Sequence, residues 1–516
     1  MHHAAPAAPR CVHPLVGIAA VLLGAMISTL YTRVTGFGLA DLRGAVDAGY
    51  DEGAWITTAS TIGQMSVGPL AAWLGLVFGV SRVLVISASM FAIASGLTPF
   101  AQDLPTLLGA ELVLGLTSGT FIPLTIGFVL QNLPPKLWPY GIAAYGFNLE
   151  LSLNIPASLE RYYLDHLSWH WIYWQGTILA LPMIACIYFG MPRPQVNKEA
   201  LRGADVPGMF YLSAGFSMLY AAIDQGNRLD WLNSGTVCAL LAGGGLFIVA
   251  FVLRELTAPR PWVNMGFLTQ HNIVLLLLIL VLYRFVIQAT IYIIPQYLTS
   301  VQNFRALQVG DVLLWIALPQ FLIAPVIATV LRFIDPRYML AAGLLAIGVA
   351  CTLSTGLTQD WASDDFLPSQ ILQAFGQSAT LIALVLFNVR HIKPADALTF
   401  GVLFQTARLF GGEMGSGFMQ TFVRVREQAA SNLVGLHVQS GVGGAAAPLA
   451  ELTQAMLAQA PTSDIAQGRA ASLLEAAVRT QANVLSYIDG FGIVALAAVV
   501  MLVMTALLRP APAALG

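Results

Sequence analysis

Charged side chains are scarce in this sequence. Only 10% of its 516 residues are Asp, Glu, Lys or Arg, whereas soluble domains use about 25%. Hydrophobic residues make up 57%, and the mean hydropathy is +0.74. A soluble fold could not bury that much apolar surface, so the composition excludes an ordinary water-soluble protein.

Several catalytic and metal-binding patterns are also missing. The eight histidines are scattered, and the four cysteines are far apart, without CxxC or Cys/His spacing, so we expect neither a disulfide framework nor a metal site. There is no P-loop, which excludes an ATP-driven pump, and no repeated filter loop of a channel. We therefore predict no enzyme, no cofactor and no nucleic-acid partner. The cysteines are Cys11, Cys186, Cys238 and Cys351.

Long apolar runs recur along the whole chain instead. They are about 20 residues long, which fits the hydrocarbon thickness of a bilayer and is about twice the length of a barrel strand. The sequence therefore predicts an all-α integral membrane protein with fourteen transmembrane helices. The predicted spans are 14–40, 54–74, 82–101, 105–131, 138–164, 170–190, 207–223, 235–253, 272–298, 308–331, 338–357, 367–389, 398–423 and 487–508.

Basic residues are distributed unevenly between the two sides of this map. If the N-terminus is cytoplasmic, that side has thirteen bases and five acids, and the opposite side has eight bases and eighteen acids. Lys and Arg concentrate on the cytoplasmic side of short loops. The sequence therefore predicts that both termini are cytoplasmic.

Six ionisable residues lie inside the predicted spans. A charge at the bilayer centre costs at least about 2.5 kcal/mol, so such residues face a bundle interior or a wet cavity and commonly mark an ion or substrate path. Their presence indicates a membrane protein that moves something polar. They are Arg33, Glu111, Glu150, Arg284, Arg408 and Glu413.

Five short motifs follow one another along the chain. They occupy 168–173 at the start of the sixth helix, 223–234 between the two middle helices, 294–298 in the ninth, 318–320 in the tenth and 408–415 in the thirteenth. In this order and at these helices they resemble the EmrB/QacA-like branch of the major facilitator superfamily. That branch has fourteen helices and exports drugs against protons.

The resemblance implies two six-helix bundles around a central cavity, with an extra helix pair between them and alternating access by rocking of the halves. It also implies proton-coupled export of lipophilic or aromatic small molecules across the inner membrane of a bacterium. The predicted regions are a cytoplasmic tail at 1–13, a first bundle at 14–190, a cytoplasmic linker at 191–206, the extra pair at 207–253, a second bundle at 272–508 and a cytoplasmic tail at 509–516.

The antiporter motif of that branch is eroded here. On helix five the family has Gly-Pro followed by a Gly-Gly pair, and this chain has only Ile155-Pro156. Pro156 predicts a kink without the close glycine packing. A proton-coupled importer or exporter of one specific metabolite on the same scaffold therefore stays open.

Arg33 and Glu111 invert the charges that the family usually has on its first and fourth helices. Arg33 precedes Asp41 by eight residues and Glu111 follows Asp103 by eight, so both would lie about 12 Å below the outer surface. We therefore predict an interior ion pair whose glutamate gains and loses a proton during transport. A purely structural pair between helices one and four is the alternative.

Glu150 is the second candidate for proton coupling. It lies in the middle of helix five, which has the antiporter motif in the family. A buried carboxyl without a charged partner is stabilised in its neutral form and could hold a proton. The alternative is a neutral glutamic acid that is hydrogen-bonded to a neighbouring helix.

The remaining interior charges belong to the second bundle. Glu413 is five positions after Arg408, about 140° around an ideal helix, so the two do not share a face. We expect Arg408 to form a salt bridge to another helix, and Glu413 and Arg284 to face the cavity. Glu413 is the third candidate for proton coupling. The glycines between 408 and 413 could let the helix distort.

Aromatic residues suggest the kind of substrate. Tyr31, Tyr145 and Tyr283 lie on helices that line the cavity in related transporters, and their rings could stack on a planar, lipophilic molecule. Ordinary packing is the alternative for each. Three interior arginines hint at a weakly acidic aromatic compound, but three interior glutamates balance them.

A gating element is expected between helices two and three. This segment keeps Gly75, Gly79 and Arg82 but lacks the aspartate and most of the positive charge of the family's gating motif. The resemblance therefore implies a weakened gating charge at this position.

One long extramembrane segment is predicted, at 428–486 on the outer side. Its Ala, Gln and Leu content favours one or two helices, for example over 464–484, with Arg469, Glu475 and Arg479 on the wet face. The resemblance adds a periplasmic adaptor protein as a partner of this loop. A covering lid, or a loop without a partner, is the alternative.

Overall fold

The regular structure of this chain is helical. The computed structural model describes residues 13–258, 261–391, 397–439, 446–457 and 462–510, and these form helices without any strand. In hydrocarbon a helix satisfies its backbone N–H and C=O groups within its own segment, which is why long apolar runs fold in this way. The predicted all-α membrane fold is confirmed.

Helices occupy all fourteen predicted places. Twelve are long and apolar enough to cross a bilayer. The other two are α5, which is broken into pieces of 17 and 11 residues, and α13, so the count of fourteen spans stays a prediction. The helices are α1 (Pro14–Phe37), α2 (Trp55–Phe78), α3 (Val80–Leu97), α4 (Leu104–Ser118 and Phe121–Asn132), α5 (Trp138–Asn154 and Pro156–His166), α6 (Trp171–Gly190), α7 (Val206–Gly226), α8 (Gly235–Thr257), α9 (His271–Val286, then a π-helical turn Ala289–Ile293, then Ile294–Ser300), α10 (Ala306–Val330), α11 (Pro336–Ser354), α12 (Leu367–His391), α13 (Ala397–Gln439) and α14 (Ser463–Ala506).

Short helices connect the long ones. At the start of α4, the carboxylate of Asp103 accepts a 2.8 Å hydrogen bond from the backbone N–H of Thr106, and this bond lowers the pKa of Asp103. The short helices are Leu39–Ala45, Tyr50–Gly53, Lys198–Arg202 and Ala446–Leu457, with 3-10 turns at Thr98–Phe100, Pro135–Leu137, Trp231–Asn233, Met265–Thr269 and Asp364–Phe366.

Buried apolar side chains form three clusters. One lies among α1 to α6, a second joins α9 to α14 and includes residues of α5, and a smaller third lies under α7 and α8. Within the second cluster α12 is the most enclosed helix, since residues 376–389 are all buried. The division of the chain into the predicted regions stays a prediction.

The extra helix pair, α7 and α8, packs between the two halves of the molecule, which are α1 to α6 and α9 to α14. Ser217 Oγ of α7 lies 2.9 Å from Ser66 Oγ of α2, and the indole N–H of Trp231 donates to Thr421 Oγ1 of α13 at 3.1 Å. Asp230 and Trp231 have φ angles of 60° and 49°, which turn the chain between α7 and α8. The motif at 223–234 contacts both halves, because its Asp224 accepts a hydrogen bond from Thr58 of α2 and its Trp231 donates to Thr421 of α13.

The segment predicted as an outer loop is mostly a continuation of its flanking helices. α13 runs on to Gln439 and α14 begins at Ser463, so the helix predicted over 464–484 is the first part of α14. Arg426 of α13 pairs with Asp489 of α14. The 43 residues of α13 span about 65 Å, more than the roughly 30 Å hydrocarbon core. The exposed side chains along this part of α14 include Arg469, Glu475 and Arg479.

Candidate functional site

Glu111 is enclosed by aromatic side chains of the first half. Its carboxylate accepts hydrogen bonds from the hydroxyls of Tyr31 on α1 and Tyr173 on α6, the latter at 2.6 Å. Glu111 is fully buried, and the ring of Phe91 packs edge-on against Tyr31 with 5.5 Å between centroids. Two hydroxyl donors thus stabilise a polar group that would be costly to bury alone.

Arg33 does not reach this carboxyl, so the predicted ion pair between Arg33 and Glu111 is wrong. Arg33 is two positions after Tyr31 on α1, about 160° away around the helix, so the two side chains leave opposite faces. Equal depth in the membrane is not enough for contact. The Arg33 guanidinium lies over Phe37, 5.4 Å from the ring centroid. Its Nε has no hydrogen-bond partner among the described residues.

A pocket lies where α1, α5, α9, α12 and α13 meet, between the two halves. The space there that protein atoms do not fill is about 480 Å³, and this figure includes space open to solvent. Two of the predicted tyrosines, one predicted glutamate and two predicted arginines come together here, although they are far apart in sequence. The lining residues are Thr29, Tyr145, Leu149, Glu150, Leu153, Leu280, Tyr283, Arg284, Leu381, Phe404 and Arg408.

Glu150 lines this pocket from α5. Its Oε1 accepts a 3.0 Å hydrogen bond from the hydroxyl of Tyr283 on α9, and Glu150 is only 2% exposed. The same hydroxyl lies 3.3 Å from the backbone oxygen of Gln377 on α12. Glu150 therefore does bond to a neighbouring helix, and that helix belongs to the other half of the molecule.

Pro156 breaks α5 shortly after Glu150. The helix stops at Asn154 and restarts at Pro156, which has no backbone N–H to donate to Ser152. The side-chain amide of Asn154 donates to the backbone oxygen of Glu150 at 2.7 Å. The part that this break takes in gating stays a prediction.

Arg284 reaches the pocket beside two glycines of α13. A Cβ at Gly412 would lie 3.1 Å from Nη2 of Arg284, and a Cβ at Gly415 would lie 2.9 Å from the Cα of Phe285. α9 and α13 therefore pack closely because these positions have no side chain. Gly411 and Gly412, which were expected to let α13 distort, instead lie against Val281 and Arg284 of α9, and α13 is unbroken.

Arg408 lines the pocket from α13. Its Nε donates to Oε1 of Gln405, one turn earlier, at 3.1 Å. The salt bridge that was predicted to another helix is not formed, because no described carboxylate lies within 4.0 Å of it. The same criterion leaves Arg33 and Arg284 without an ion pair in the described structure.

Glu413 is not among the lining residues of the pocket, in contrast to the expectation for it. It lies near Tyr220 and Asp224 of α7. Asp224 in turn accepts a hydrogen bond from Thr58 on α2. Glu413 and Arg408 leave different faces of α13, so only Arg408 can reach the pocket.

The predicted gating residues lie at one end of α2 and α3. Gly79 joins these helices with a φ of 87°, a left-handed conformation that favours glycine. A Cβ at Gly75 would lie 2.7 Å from Leu124 Cδ2. Arg82 borders a groove that also contains Arg193. The gating role of these residues stays a prediction.

The residues that the sequence-based predictions missed include Thr29, Phe404 and Tyr173. Thr29 and Phe404 line the pocket, and each precedes a predicted arginine, Arg33 or Arg408, by four positions on one helix face. That spacing could have identified both. Tyr173 lies in the motif at 168–173, but nothing in its spacing pointed to Glu111.

The chain is similar in sequence to known membrane transporters. The family model of the Major Facilitator Superfamily matches residues 21–416. The chain is 22% identical over 423 residues to the probable multidrug resistance protein EmrY of Escherichia coli strain K12, with 79% of this chain and 80% of that protein covered. It is 22% identical over 421 residues to the multidrug export protein EmrB of Haemophilus influenzae, with 80% of both chains covered.

Further comparisons add a fatty-acid resistance protein and a solved structure. The chain is 20% identical over 405 residues to the fatty acid resistance protein FarB of Neisseria gonorrhoeae, covering 78% of this chain and 80% of that protein. The structure of the proton:xylose symporter XylE superposes with a TM-score of 0.55 at 12% identity, over 94% of both chains. This likeness shows a shared fold.

Proposed function

We propose, from the premise that the chain belongs to the major facilitator superfamily, that it is a proton-coupled exporter of lipophilic or aromatic small molecules. A member of this family with this fold is a transporter and not an enzyme. The central pocket is the observation that supports the substrate class, because two tyrosines and Phe404 offer ring surfaces beside three ionisable side chains. Rocking of the halves about such a pocket would expose it to each side in turn.

Three interior carboxyls, Glu111, Glu150 and Glu413, are the candidates for proton coupling. Glu111 and Glu150 are buried and accept hydrogen bonds from tyrosine hydroxyls, and Glu413 is partly buried near Tyr220. A carboxyl enclosed by protein exchanges a proton only when a path to water opens. Alternating access supplies that opening. The pairs are Glu111 with Tyr31 and Tyr173, Glu150 with Tyr283, and Glu413 with Tyr220.

We place the protein in the cytoplasmic membrane of a bacterium, with both termini in the cytoplasm. The support is the excess of bases on that side of the predicted map and of acids on the other. Cysteines introduced singly at Arg332 and Asp360 test this in whole cells. An impermeant maleimide should label the second and not the first, and the reverse would overturn the orientation.

Export is tested in everted membrane vesicles with an acidified lumen, so that protons flow outward across the vesicle membrane. Accumulation of an aromatic dye that collapses with the gradient means export in the cell, whereas gradient-driven loss of preloaded dye means import. Glu111→Gln, Glu150→Gln and Glu413→Gln are measured singly, with the exposed Glu475→Gln as the matched control. The proton-coupling proposal is wrong if all three interior variants keep the rate of the wild type.

A proton-coupled carrier of one specific metabolite is the second candidate. The polar character of the pocket favours it, because Glu150, Arg284 and Arg408 converge on a small space and few, well-placed polar groups confer specificity. A panel of unrelated dyes distinguishes the two. Export of several of these dyes indicates a multidrug carrier. Export of none of them, together with tight binding of a single ligand, indicates a specific carrier.

We further propose that an adaptor protein of the periplasm binds the helical extension of α13 and α14. The support is the length by which these helices exceed the bilayer. Removal of residues 428–486 and replacement by a short linker tests this. Unchanged export together with unchanged recovery of the adaptor in a pull-down would eliminate the partner.

A further inference from the structure

The central pocket has more positive than negative side chains around it. Arg284 and Arg408 line it. Arg33 follows the lining residue Thr29 by four positions and so shares its face of α1. The guanidinium of Arg33 is close enough to that of Arg284 for the two charges to repel. Among the lining residues, Glu150 is the one carboxylate.

The other interior glutamates do not neutralise this charge. Glu111 lies within the first half with two tyrosine hydroxyls, and none of the salt bridges among the described residues includes it. Glu413 faces Tyr220 and Asp224 on α7. The interior charges are balanced in sequence, but the fold separates them and leaves two arginines and one glutamate among the residues that line the pocket.

Several hydrogen-bond donors at this pocket also lack acceptors. The Nε atoms of Arg33 and Arg284 and the hydroxyl of Tyr145 are buried without a partner in the described structure. A carboxylate or sulfonate would supply oxygen acceptors to these groups, and the planar guanidinium binds such groups in a bidentate manner. The rings of Tyr145, Tyr283 and Phe404 would contact an apolar body of the same ligand.

We propose that the central pocket binds organic anions with an aromatic or apolar body, and that Arg284 and Arg408 hold the acid group with Arg33 beside them. This rests on the proposed function, since it takes the pocket as the substrate site. The proposal specifies that the substrate is an anion, whereas the proposed function does not specify the charge of the substrate.

Glu150 competes with such an anion for Arg284. Loss of the Glu150 charge, by protonation or by substitution with Gln, therefore tightens anion binding. Protonation of Glu150 and binding of an anion at Arg284 favour each other. Glu150 would therefore couple the proton and the anion so that both cross the membrane in the same direction. Exchange of an exported anion for an entering proton needs a carboxyl away from the pocket, and Glu111 and Glu413 have that position.

Binding by the full-length protein, purified in detergent, tests the charge preference. Fluorescein, an anion, and rhodamine 123, a cation, share a fused aromatic frame and report binding by fluorescence anisotropy. We expect the wild type to bind fluorescein at least about tenfold more tightly than rhodamine 123, and Arg284→Gln and Arg408→Gln each to weaken fluorescein at least about tenfold, as loss of a charge-assisted pair would. Arg424→Gln, on α13 beyond the pocket, is the matched control and keeps the wild-type affinity.

Opposite signs separate charge from general damage. Glu150→Gln keeps an acceptor for Tyr283 and should tighten fluorescein binding severalfold, whereas a pocket that is merely disturbed would lose affinity in every variant. Tighter binding of rhodamine 123, or a loss of fluorescein affinity in Glu150→Gln, overturns the inference. Gradient-driven export of cationic dyes without anion binding would leave the proposed function intact. Arginine-dependent binding without gradient-driven flux would instead leave the inference intact and end the proposed function.

Discussion

Two buried glutamates of the first half, Glu111 and Glu150, differ in where their partners come from. Both are almost fully buried, and both accept a hydrogen bond from a tyrosine hydroxyl. The tyrosines of Glu111 belong to its own half, whereas Tyr283, the partner of Glu150, belongs to the other half. Movement of the halves would leave the first set together and separate the second. Burial alone therefore does not define the role of an interior carboxyl.

The largest effect on export and ligand affinity is expected from substituting Glu111 and Glu150 by Gln, one at a time. If the pocket binds anions, Glu111→Gln should lower gradient-driven export by about tenfold or more, the scale of typical coupling between two sites, and leave fluorescein affinity unchanged. Glu150→Gln should tighten the binding of fluorescein. Flux in everted vesicles and anisotropy on purified protein measure the two quantities.

Glu475→Gln on α14 is the control for this comparison, since it removes an exposed carboxylate. Export that survives in Glu111→Gln but stops in Glu413→Gln would move the coupling site to α13 and α7. Equal effects of Glu111→Gln and Glu150→Gln on both flux and affinity would mean that the two carboxyls do not have separate roles.

A second, smaller effect concerns stability. Glu111→Leu would leave the hydroxyls of Tyr31 and Tyr173 buried without an acceptor, and each such group costs about 1 to 3 kcal/mol. The thermal midpoint in detergent should fall clearly. The triple variant that adds Tyr31→Phe and Tyr173→Phe should recover most of the loss, because no polar group is then unpaired. If the triple variant does not regain the thermal midpoint, the loss of stability in Glu111→Leu comes from packing.

The helical architecture was predictable because its signal is strong and local. Apolar runs of bilayer length and the distribution of bases depend on composition along the chain and need no knowledge of packing. The same information predicted a kink at Pro156, where the structure has a break in α5, since the missing N–H acts within one turn. The continuation of α13 and α14 beyond the membrane was less clear, because the polar surface of 428–486 resembles that of a loop.

The site was harder to predict because it depends on the direction of side chains between helices. Depth along the membrane suggested that Arg33 and Glu111 would meet, yet a two-residue step on α1 points them to opposite faces. Arg408 and Glu413 were correctly assigned to different faces, but the sequence did not show which face met the pocket. That choice is made by Gly412 and Gly415, which let α13 approach α9.

Those two glycines offer a third, intermediate test. Gly415→Ala would place a Cβ against the backbone of Phe285, which cannot move cheaply, so we expect a loss of about 1 to 3 kcal/mol in stability. Gly412→Ala meets the flexible end of Arg284 instead. It should cost little stability and weaken fluorescein binding severalfold by displacing the guanidinium. Thermal unfolding and anisotropy on both variants measure this, and reversed results would place Arg284 outside the anion site.

The smallest effect is expected at an exposed carboxylate, Asp103, which extends the comparison to a group in contact with water. Its folded pKa is lowered by the hydrogen bond from Thr106 N–H, so its stabilisation is present above the unfolded value and disappears as the pH falls through the folded value. Asp103→Asn should therefore differ slightly from the wild type in thermal midpoint at neutral pH and converge with it below about pH 4. A difference that persists in acid would assign the effect to the geometry of the helix start, since only an ionised carboxylate can lose its contribution by protonation.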